Sequence, residues 1–154
     1  MSINDLSAGA LCTRLVAVAY RSMAVDESAR LMRQSHVGCV VVVEDVAGER
    51  AVVGILTDRD IVTTVVARDA APSTLRVADV MTDDVVCVRE EDSLADAVAT
   101  MQRCHVRRVP VVGARQKLVG IITADDVLQF HAGQLTSLSR ALTEQIKVEA
   151  LVRP

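Results

Sequence analysis

The sequence predicts a mixed α/β (α+β) fold, in which two copies of a β-α-β-β-α unit pack about a pseudo-two-fold axis and a C-terminal helix follows. Three observations support this prediction. The chain is 51% hydrophobic but only 1% aromatic, so valine, alanine, leucine and isoleucine must fill the core, and β-branched valine favours strands. The same motifs occur twice along the chain. After the second copy, apolar residues recur at helical spacing.

The internal repeat is visible at one constant offset. Residues 32–43 match residues 101–112, with a methionine, a His-Val pair and several valines in register. The same offset aligns Thr13 with Thr82. Such self-similarity is typical of a duplicated structural unit.

Further along the chain, the two copies differ in length by one turn. Residues 53–60 match residues 119–126 at an offset that is shorter by three residues. The difference falls between the two central strands, at 44–50 in the first copy and at 113–116 in the second. A hairpin turn absorbs such a change at little cost.

Each copy predicts the same elements in the same order. A short leading strand precedes a helix, two strands joined by a glycine-containing turn follow, and a second helix ends the unit. Ser93 stands where an N-cap residue is expected. The predicted bounds are 16–19, 23–35, 39–43, 51–56 and 58–67 in the first copy, and 85–88, 93–104, 109–112, 117–122 and 124–131 in the second.

Pro72 marks the boundary between the copies. We therefore assign residues 1–71 to the first repeat with its N-terminal segment, 72–132 to the second repeat and 133–154 to a C-terminal helix. A unit of about sixty residues is only marginally stable alone, because it buries too little of its surface. Pairing the two sheets would bury the remaining apolar faces, which gives a physical reason for the duplication.

The C-terminal segment carries apolar residues three and four positions apart, at Leu135, Leu138, Leu142 and Ile146. The pattern predicts a helix with one apolar stripe. It spans less than three heptads, which is too short to establish a coiled coil. Two arrangements remain open: the stripe packs on its own module, which is the more frequent role, or it forms a helix-mediated dimer contact.

Charge and hydropathy exclude several classes of partner. The net charge is −3, and the chain has neither a basic run nor aromatic residues for stacking on bases, so we expect no nucleic-acid partner. No apolar stretch approaches the roughly 20 residues of a membrane-spanning helix, and the N-terminus does not resemble a signal peptide. We therefore expect a cytoplasmic protein with no membrane partner.

The four cysteines do not predict a metal site. Cys12, Cys39, Cys87 and Cys104 have no C-x-x-C spacing, and the adjacent pair Cys104-His105 cannot complete a tetrahedral zinc site alone. We expect reduced, mostly buried thiols.

The sharpest motif is G-x-x-T-x-x-D, which occurs once in each copy where a strand ends and a helix begins. Its residues are Gly54, Thr57 and Asp60 in the first copy and Gly120, Thr123 and Asp126 in the second. One interpretation is structural: threonine and aspartate form a capping box and the glycine turns the chain. The other is binding, since a helix N-terminus suits a phosphate and a carboxylate can accept hydrogen bonds from both ribose hydroxyls. The two interpretations are compatible.

Catalysis has little support in the sequence. Phosphoryl transfer needs a lysine and metal-ordering groups, yet no G-x-x-x-x-G-K-[ST] motif is present. Neither a nucleophile elbow nor a histidine pair with metal spacing occurs. We therefore expect that the protein is not an enzyme, and no cofactor is required.

Residues 11–131 resemble a tandem pair of cystathionine β-synthase-type (CBS) domains, a Bateman module. The resemblance rests on Met81-Thr82, the run 105–112 and both G-x-x-T-x-x-D motifs. In that family, adenosine ligands such as AMP, ADP, ATP or S-adenosylmethionine bind in clefts between the repeats. The resemblance therefore implies a regulatory, energy- or metabolite-sensing module that forms a homodimer and acts through ligand-dependent conformation or dimer geometry. Its output would lie in a separate effector protein or in the geometry of the dimer. The alternative is a ligand-free dimerisation scaffold.

The resemblance also implies roles for individual residues. Asp60 and Asp126 would hold the ribose hydroxyls, and Thr57 and Thr123 would contact ribose or phosphate. Apolar residues would enclose the base, namely Val16, Val37, Val85 and Val106.

The two copies are not equivalent in charge. Arg59 lies inside the first motif and offers a fork of donors to phosphate, whereas Asp125 stands at that position in the second. Arg107 and Arg108 either compensate for Asp125 by facing the cleft or are solvated at a strand start. The first copy also has Cys12 where the second has Met81, and Val41 where the second has Pro110. We expect one good site and one poorer site.

His36 and His105 end their helices at matched positions. A cation there is favoured by the helix dipole, so we expect a structural role for both.

Overall fold

The structure, a computed structural model, describes residues 6–152, with side chains up to residue 147. It contains two three-stranded sheets, one in each repeat. The first repeat comprises α1 (Ala8–Leu11), β1 (Val18–Ala19), α2 (Val25–Ser35), β2 (Cys39–Val46), β3 (Glu49–Thr57) and α3 (Asp58–Asp60), which continues as a π-helical turn (Ile61–Val65) and a 3-10 turn (Val66–Arg68). The predicted order of elements is confirmed from β1 onward, and α1 is an addition that the sequence analysis did not predict.

The second repeat has the same order of elements. After a 3-10 turn (Val77–Asp79) come β4 (Val88–Arg89), α4 (Leu94–Cys104), β5 (Arg108–Val112), a 3-10 turn (Ala114–Gln116), β6 (Leu118–Thr123) and α5 (Ala124–Val152). In both sheets the leading strand pairs in parallel with the central strand, which pairs antiparallel with the third. The pairing register shifts at the same place in both, after Val42 and after Val111. The duplication therefore extends to the irregularities of the sheets.

The first hairpin is longer than the sequence predicts. Strand β2 continues to Val46 and β3 begins at Glu49, so only Ala47 and Gly48 form the turn. Both have positive φ, 51° and 82°, as two-residue hairpin turns of type I′ require.

Each repeat also contributes a segment to the core of the other. Ala8 lies in the core of the second repeat, with Val109 and Ile122, and its N–H donates to Asp92 O at 2.7 Å. Conversely, Val77 and Met81 lie in the core of the first repeat, with residues of its sheet. This exchange ties the two repeats together through burial of apolar surface.

A third apolar cluster joins the two sheets directly. Val41, Val43 and Val52 of the first repeat pack with Val112 of the second, and all four are buried. Together with the exchanged segments, this cluster confirms that the two repeats share one packed structure, as expected for units that are marginal alone.

Helix α5 differs from the prediction in length. The helix that we expected to end near His131 continues without a break to Val152, because Gly133 adopts a helical rather than a positive φ and no proline interrupts this segment. None of the helices in the described part of the chain combines the length and hydropathy needed to cross a bilayer.

Of the two arrangements that the sequence leaves open, the structure does not show the first, because Leu135, Leu138, Leu142 and Ile146 do not pack on their own module. Leu135 and Ile146 are each 68% exposed, Leu138 is 58% exposed and Leu142 is 54% exposed. The reason is geometric: the helix continues past the edge of the module after His131, and residues 132–147 are all exposed.

His36 and His105 occupy the C-cap positions of α2 and α4 in left-handed conformation, with φ of 53° and 55°. The structural role predicted for them is thus to end the helices: the His36 N–H donates to the carbonyl oxygens of Arg33 and Met32. Glycine adopts this conformation at lower cost than any residue with a Cβ.

We expect that His36→Gly raises the free energy of unfolding by about 0.5 kcal/mol, because the relief of the left-handed strain exceeds the added entropy of the unfolded chain. Thermal unfolding monitored by circular dichroism measures the change. A lower melting temperature for the variant would show that the imidazole contributes more than a helix end.

Candidate functional site

A cleft of about 700 Å³ lies between the two repeats. One wall is the β3–α3 corner of the first repeat, with Thr57, Arg59 and Asp60. The facing wall belongs to the second repeat, from the segment before β4 and from the start of β5. It includes Val85, Val86, Val106, Arg107 and Arg108. Neither repeat alone forms this cleft.

The first motif forms a complete capping box. Asp60 Oδ2 accepts hydrogen bonds from Thr57 N at 2.9 Å and from Thr57 Oγ1 at 2.7 Å, and Asp60 N donates to Thr57 Oγ1 at 3.2 Å. Within the described residues, Asp60 Oδ1 accepts no hydrogen bond from the protein. Capping therefore fixes the carboxylate at the cleft wall and leaves one of its oxygens available.

The second motif has the same geometry. Asp126 Oδ2 accepts from Thr123 N and from Thr123 Oγ1, both at 2.8 Å, and Asp126 N donates to Thr123 Oγ1 at 3.1 Å. The capping interpretation of both motifs is thus confirmed. It does not exclude binding, because the cleft beside the first motif is open.

The glycines of the motifs have a different role from the one expected. They do not turn the chain: Gly54 lies within β3 and Gly120 within β6. Next to Gly120, Ile121 exchanges two backbone hydrogen bonds of 2.9 Å with Thr13, and next to Gly54, Ile55 exchanges two of 3.1 and 2.9 Å with Thr82. The missing side chain admits the backbone of the segment that leads into the other sheet.

The close approach at these glycines leaves no room for a Cβ. At Gly120 an added Cβ would lie 2.5 Å from Cys12 Sγ and 2.7 Å from Thr13 O. At Gly54 it would lie 2.9 Å from Thr82 O and 3.0 Å from the Met81 thioether. The cleft walls are therefore held in register through the two glycines.

A family comparison agrees with this duplicated architecture. The family model of the CBS domain matches residues 8–67 and again 77–133. The chain belongs to the CBS domain family. Each of the two matched segments contains one of the two sheets.

Known proteins with this CBS pair include archaeal ones. The chain is 32% identical over 127 residues to the protein MK0525 of Methanopyrus kandleri, covering 82% of this chain but only 63% of that protein. A solved structure of a conserved protein from Pyrococcus horikoshii shares the fold, with a TM-score of 0.73, 25% identity and coverage of 85% and 95% of the two chains. The cytosolic domain of the Mg2+ channel MgtE, solved in complex with ATP, aligns with a TM-score of 0.69 and 29% identity over 82% of this chain and 49% of that one.

The structure brings together most of the residues that the sequence singled out in the CBS pair. Seven of them line the first cleft: Thr57, Arg59, Asp60, Val85, Val106, Arg107 and Arg108. Arg107 and Arg108 therefore line the cleft beside the first motif, which already contains Arg59. Arg108 reaches across to the first repeat, since its Nη1 would lie 3.3 Å from a Cβ at Gly38.

The remaining predicted residues do not line the first cleft. Thr123 and Asp126 form its capping box. Val16 packs against the cluster that joins the sheets, and Val37 is 40% exposed. At the offset of the repeat, Gly38 and Cys39 stand where the second copy has Arg107 and Arg108.

Sequence reasoning missed four polar residues of the first cleft, Asp58, Thr82, Asp84 and His105. Thr82 and His105 could have been found, because each has a matched residue in the other copy. The two aspartates have no such match. With them, the first cleft contains three guanidinium groups and three carboxylates.

The four cysteines form no disulfide within the described residues. Only Cys39 is buried, and Cys12, Cys87 and Cys104 are half-buried, so the expectation of mostly buried thiols holds for one of the four. Burial raises the pKa of the Cys87 thiol to about 11, which keeps it protonated and unreactive at neutral pH.

Proposed function

We propose that this CBS pair is a regulatory module that binds a phosphorylated adenosine compound in the first cleft. The observation that carries the proposal is the composition of that cleft. The first repeat contributes a threonine and an aspartate that form a capping box, and the second repeat contributes two arginines and three valines. A ligand that fills the cleft contacts both repeats, so its binding free energy depends on their relative orientation.

Asp60 and Thr57 are assigned to the ribose. Asp60 Oδ1 lies at the cleft and accepts no hydrogen bond within the described part of the chain, so it can accept one from a ribose hydroxyl. The capping box holds this carboxylate in place before the ligand arrives, which lowers the ordering cost of binding.

The phosphate is assigned to Arg59, Arg107 and Arg108. Guanidinium groups bind phosphate through paired hydrogen bonds, and the N-terminus of α3 adds a favourable dipole. Asp58 is engaged at that terminus, where its Oδ1 accepts from Arg59 N at 2.8 Å. The phosphate contacts favour AMP, ADP or ATP over S-adenosylmethionine in this cleft.

The adenine is assigned to the apolar wall of the second repeat. Val86 and Val106 are 38% and 39% exposed, and both line the cleft beside Val85. A base placed against them removes apolar surface from water, which is favourable at about 25 cal/mol per Å². The crystallised ATP complex of the MgtE cytosolic domain, 29% identical to this chain, supports an adenosine ligand.

The second cleft is proposed as the poorer site. It would use Thr123 and Asp126 for the ribose and Val16 and Val37 for the base. Asp125 stands where the first motif has Arg59, and the residues matched to Arg107 and Arg108 are Gly38 and Cys39. A phosphorylated ligand would therefore meet repulsion and fewer donors there.

The proposed role is regulatory rather than catalytic. Ligand binding would stabilise one orientation of the repeats, and a second copy in a homodimer or a separate effector protein would respond to it. The alternative is a ligand-free scaffold. One observation favours the scaffold: both capping boxes are complete without a ligand.

Isothermal titration with AMP, ADP, ATP and S-adenosylmethionine tests the proposal. We expect a phosphorylated compound to bind, Asp60→Asn to weaken its affinity about 30-fold because a hydrogen bond to a charged group is lost, and the matched Asp126→Asn to change it less than threefold. A wild-type chain that binds none of the four compounds would establish the scaffold instead. Equal losses in both variants would contradict the assignment to the first cleft.

A further inference from the structure

Helix α5 extends beyond the CBS pair. Val127 is buried in the core of the second repeat, and Phe130 packs against that core. His131 is half-buried and approaches α4. Residues 132–147 are all exposed. The module therefore packs only against the beginning of this helix. Helices in proteins gain most of their stability from packing of an apolar face, and the rest of α5 has no such contact within the described residues.

The exposed part of α5 is strongly amphipathic. At 3.6 residues per turn, the side chains of Leu128, Leu135, Leu138, Leu142 and Ile146 fall within an arc of about 80°, and each is between 54% and 68% exposed. From here on, the apolar stripe comprises the four residues described above together with Leu128. The charged residues of the segment 132–147, namely Arg140, Glu144 and Lys147, lie on the opposite side of the helix.

Three hydroxyl groups of the exposed segment are satisfied within the helix. Thr136 Oγ1 donates to Ala132 O at 2.9 Å, Ser137 Oγ to Gly133 O at 3.0 Å, and Thr143 Oγ1 to Ser139 O at 2.9 Å. Covering the stripe and its borders would therefore leave none of these three hydroxyls without a partner.

The area of the apolar stripe matches that of a helix pair. Five aliphatic side chains, each more than half exposed, present roughly 500 Å² of apolar surface, the size of the largest and often functional patch of a protein surface. Two copies would together bury about 1,000 Å² at least, the lower limit of a specific interface. The spacing of Leu135, Leu138 and Leu142 is the three-and-four spacing of paired helices.

The charges of the helix favour a protein partner over a lipid surface. A helix that lies on a membrane has lysine and arginine along its polar face, whereas Arg140 and Lys147 here flank Glu144 on the same face. A stripe without charged residues at its borders is complementary to itself, so a second copy fits it through a two-fold axis.

We propose that the apolar stripe of α5 is the surface through which two copies of this chain associate, each stripe packing against the other. This inference names a surface for the homodimer proposed above and does not depend on the ligand. The ligand cleft lies on other elements, so the two proposals fail independently.

Cross-linking tests the proximity of the two helices. With a short bismaleimide, Leu138→Cys is expected to form a covalent dimer at least tenfold faster than Arg140→Cys, which places the thiol on the opposite face two residues away. The wild-type chain corrects for reaction of the four native cysteines. Equal rates in the two variants would overturn the proposal, even if the protein is a dimer.

Sedimentation measures the association itself. The double variant Leu138→Ser/Leu142→Ser is expected to raise the dimer dissociation constant at least tenfold, whereas the control Arg140→Ser/Lys147→Ser changes it less than twofold. Far-ultraviolet circular dichroism and thermal unfolding of each variant report whether the CBS pair is still folded. An unchanged dissociation constant in the leucine variant would overturn the proposal. So would a wild-type chain that sediments as a monomer at every concentration tested, or one that binds anionic vesicles and does not dimerise.

Discussion

Gly120→Val is expected to lower the free energy of unfolding by about 3 kcal/mol, and the melting temperature by on the order of 10 °C. The new Cβ would meet Cys12 Sγ at 2.5 Å and Thr13 O at 2.7 Å. Thr13 is fixed by two backbone hydrogen bonds to Ile121, so relief of the clash would break the bridge between the repeats. Thermal and urea unfolding of the variant measure the loss.

Two other glycines, the repeat-related Gly54 and the helical Gly133, serve as controls for this prediction. Gly54→Val is expected to cost less, because part of its clash is with the flexible side chain of Met81. Gly133→Ala has no neighbour within 4 Å of the added Cβ and lies in a helix, so it should stabilise the chain slightly. If Gly120→Val were as stable as the wild type, the close approach of the two repeats described above would be wrong.

Arg59→Asp is expected to weaken the binding of ATP to the first cleft about 100-fold, because it removes a charge-assisted hydrogen bond and introduces a charge that repels phosphate. The substitution gives the first motif the aspartate that the second motif has at this position, Asp125. Arg59 is exposed, and an aspartate in the first turn of a helix is favoured by the dipole, so stability should not fall. Calorimetry and thermal unfolding on the same samples separate the two effects.

The reciprocal substitution Asp125→Arg is the control for this prediction. It changes the net charge by the same magnitude with the opposite sign in the other motif, and we expect the affinity of the first cleft to stay within threefold of the wild type. Changes of comparable size and opposite direction in the two variants would mean that net charge, rather than the position of Arg59, governs the affinity. Unaltered affinity in Arg59→Asp would remove the arginine from the phosphate site.

The order of elements could be predicted from the sequence because local patterns determine it. Valine runs, the two capping boxes and the matched His-Val pairs are all local signals, and they placed the strands and helices correctly. The hairpin turn at Ala47 and Gly48 was placed too broadly, since strand ends depend on cross-strand pairing that the sequence does not display.

The candidate site was predicted in part for the same reason. Thr57, Asp60 and the arginines were found from motif and charge, but which arginine faces which motif depends on how the repeats pack. The exchange of Ala8 and Val77 between the two cores is likewise a tertiary feature. The exposure of Leu135 could not be predicted either, because an apolar stripe reads the same whether it packs inside one chain or between two.

The unbroken course of α5 has a mechanical consequence. The helix starts at the Thr123 capping box and runs for 29 residues, a rod of about 43 Å at 1.5 Å per residue. A tilt of only about 5° at its base would sweep the tip through roughly 4 Å, comparable to one helical turn. Small motions beside the second G-x-x-T-x-x-D motif would thus be magnified at the far end of the helix.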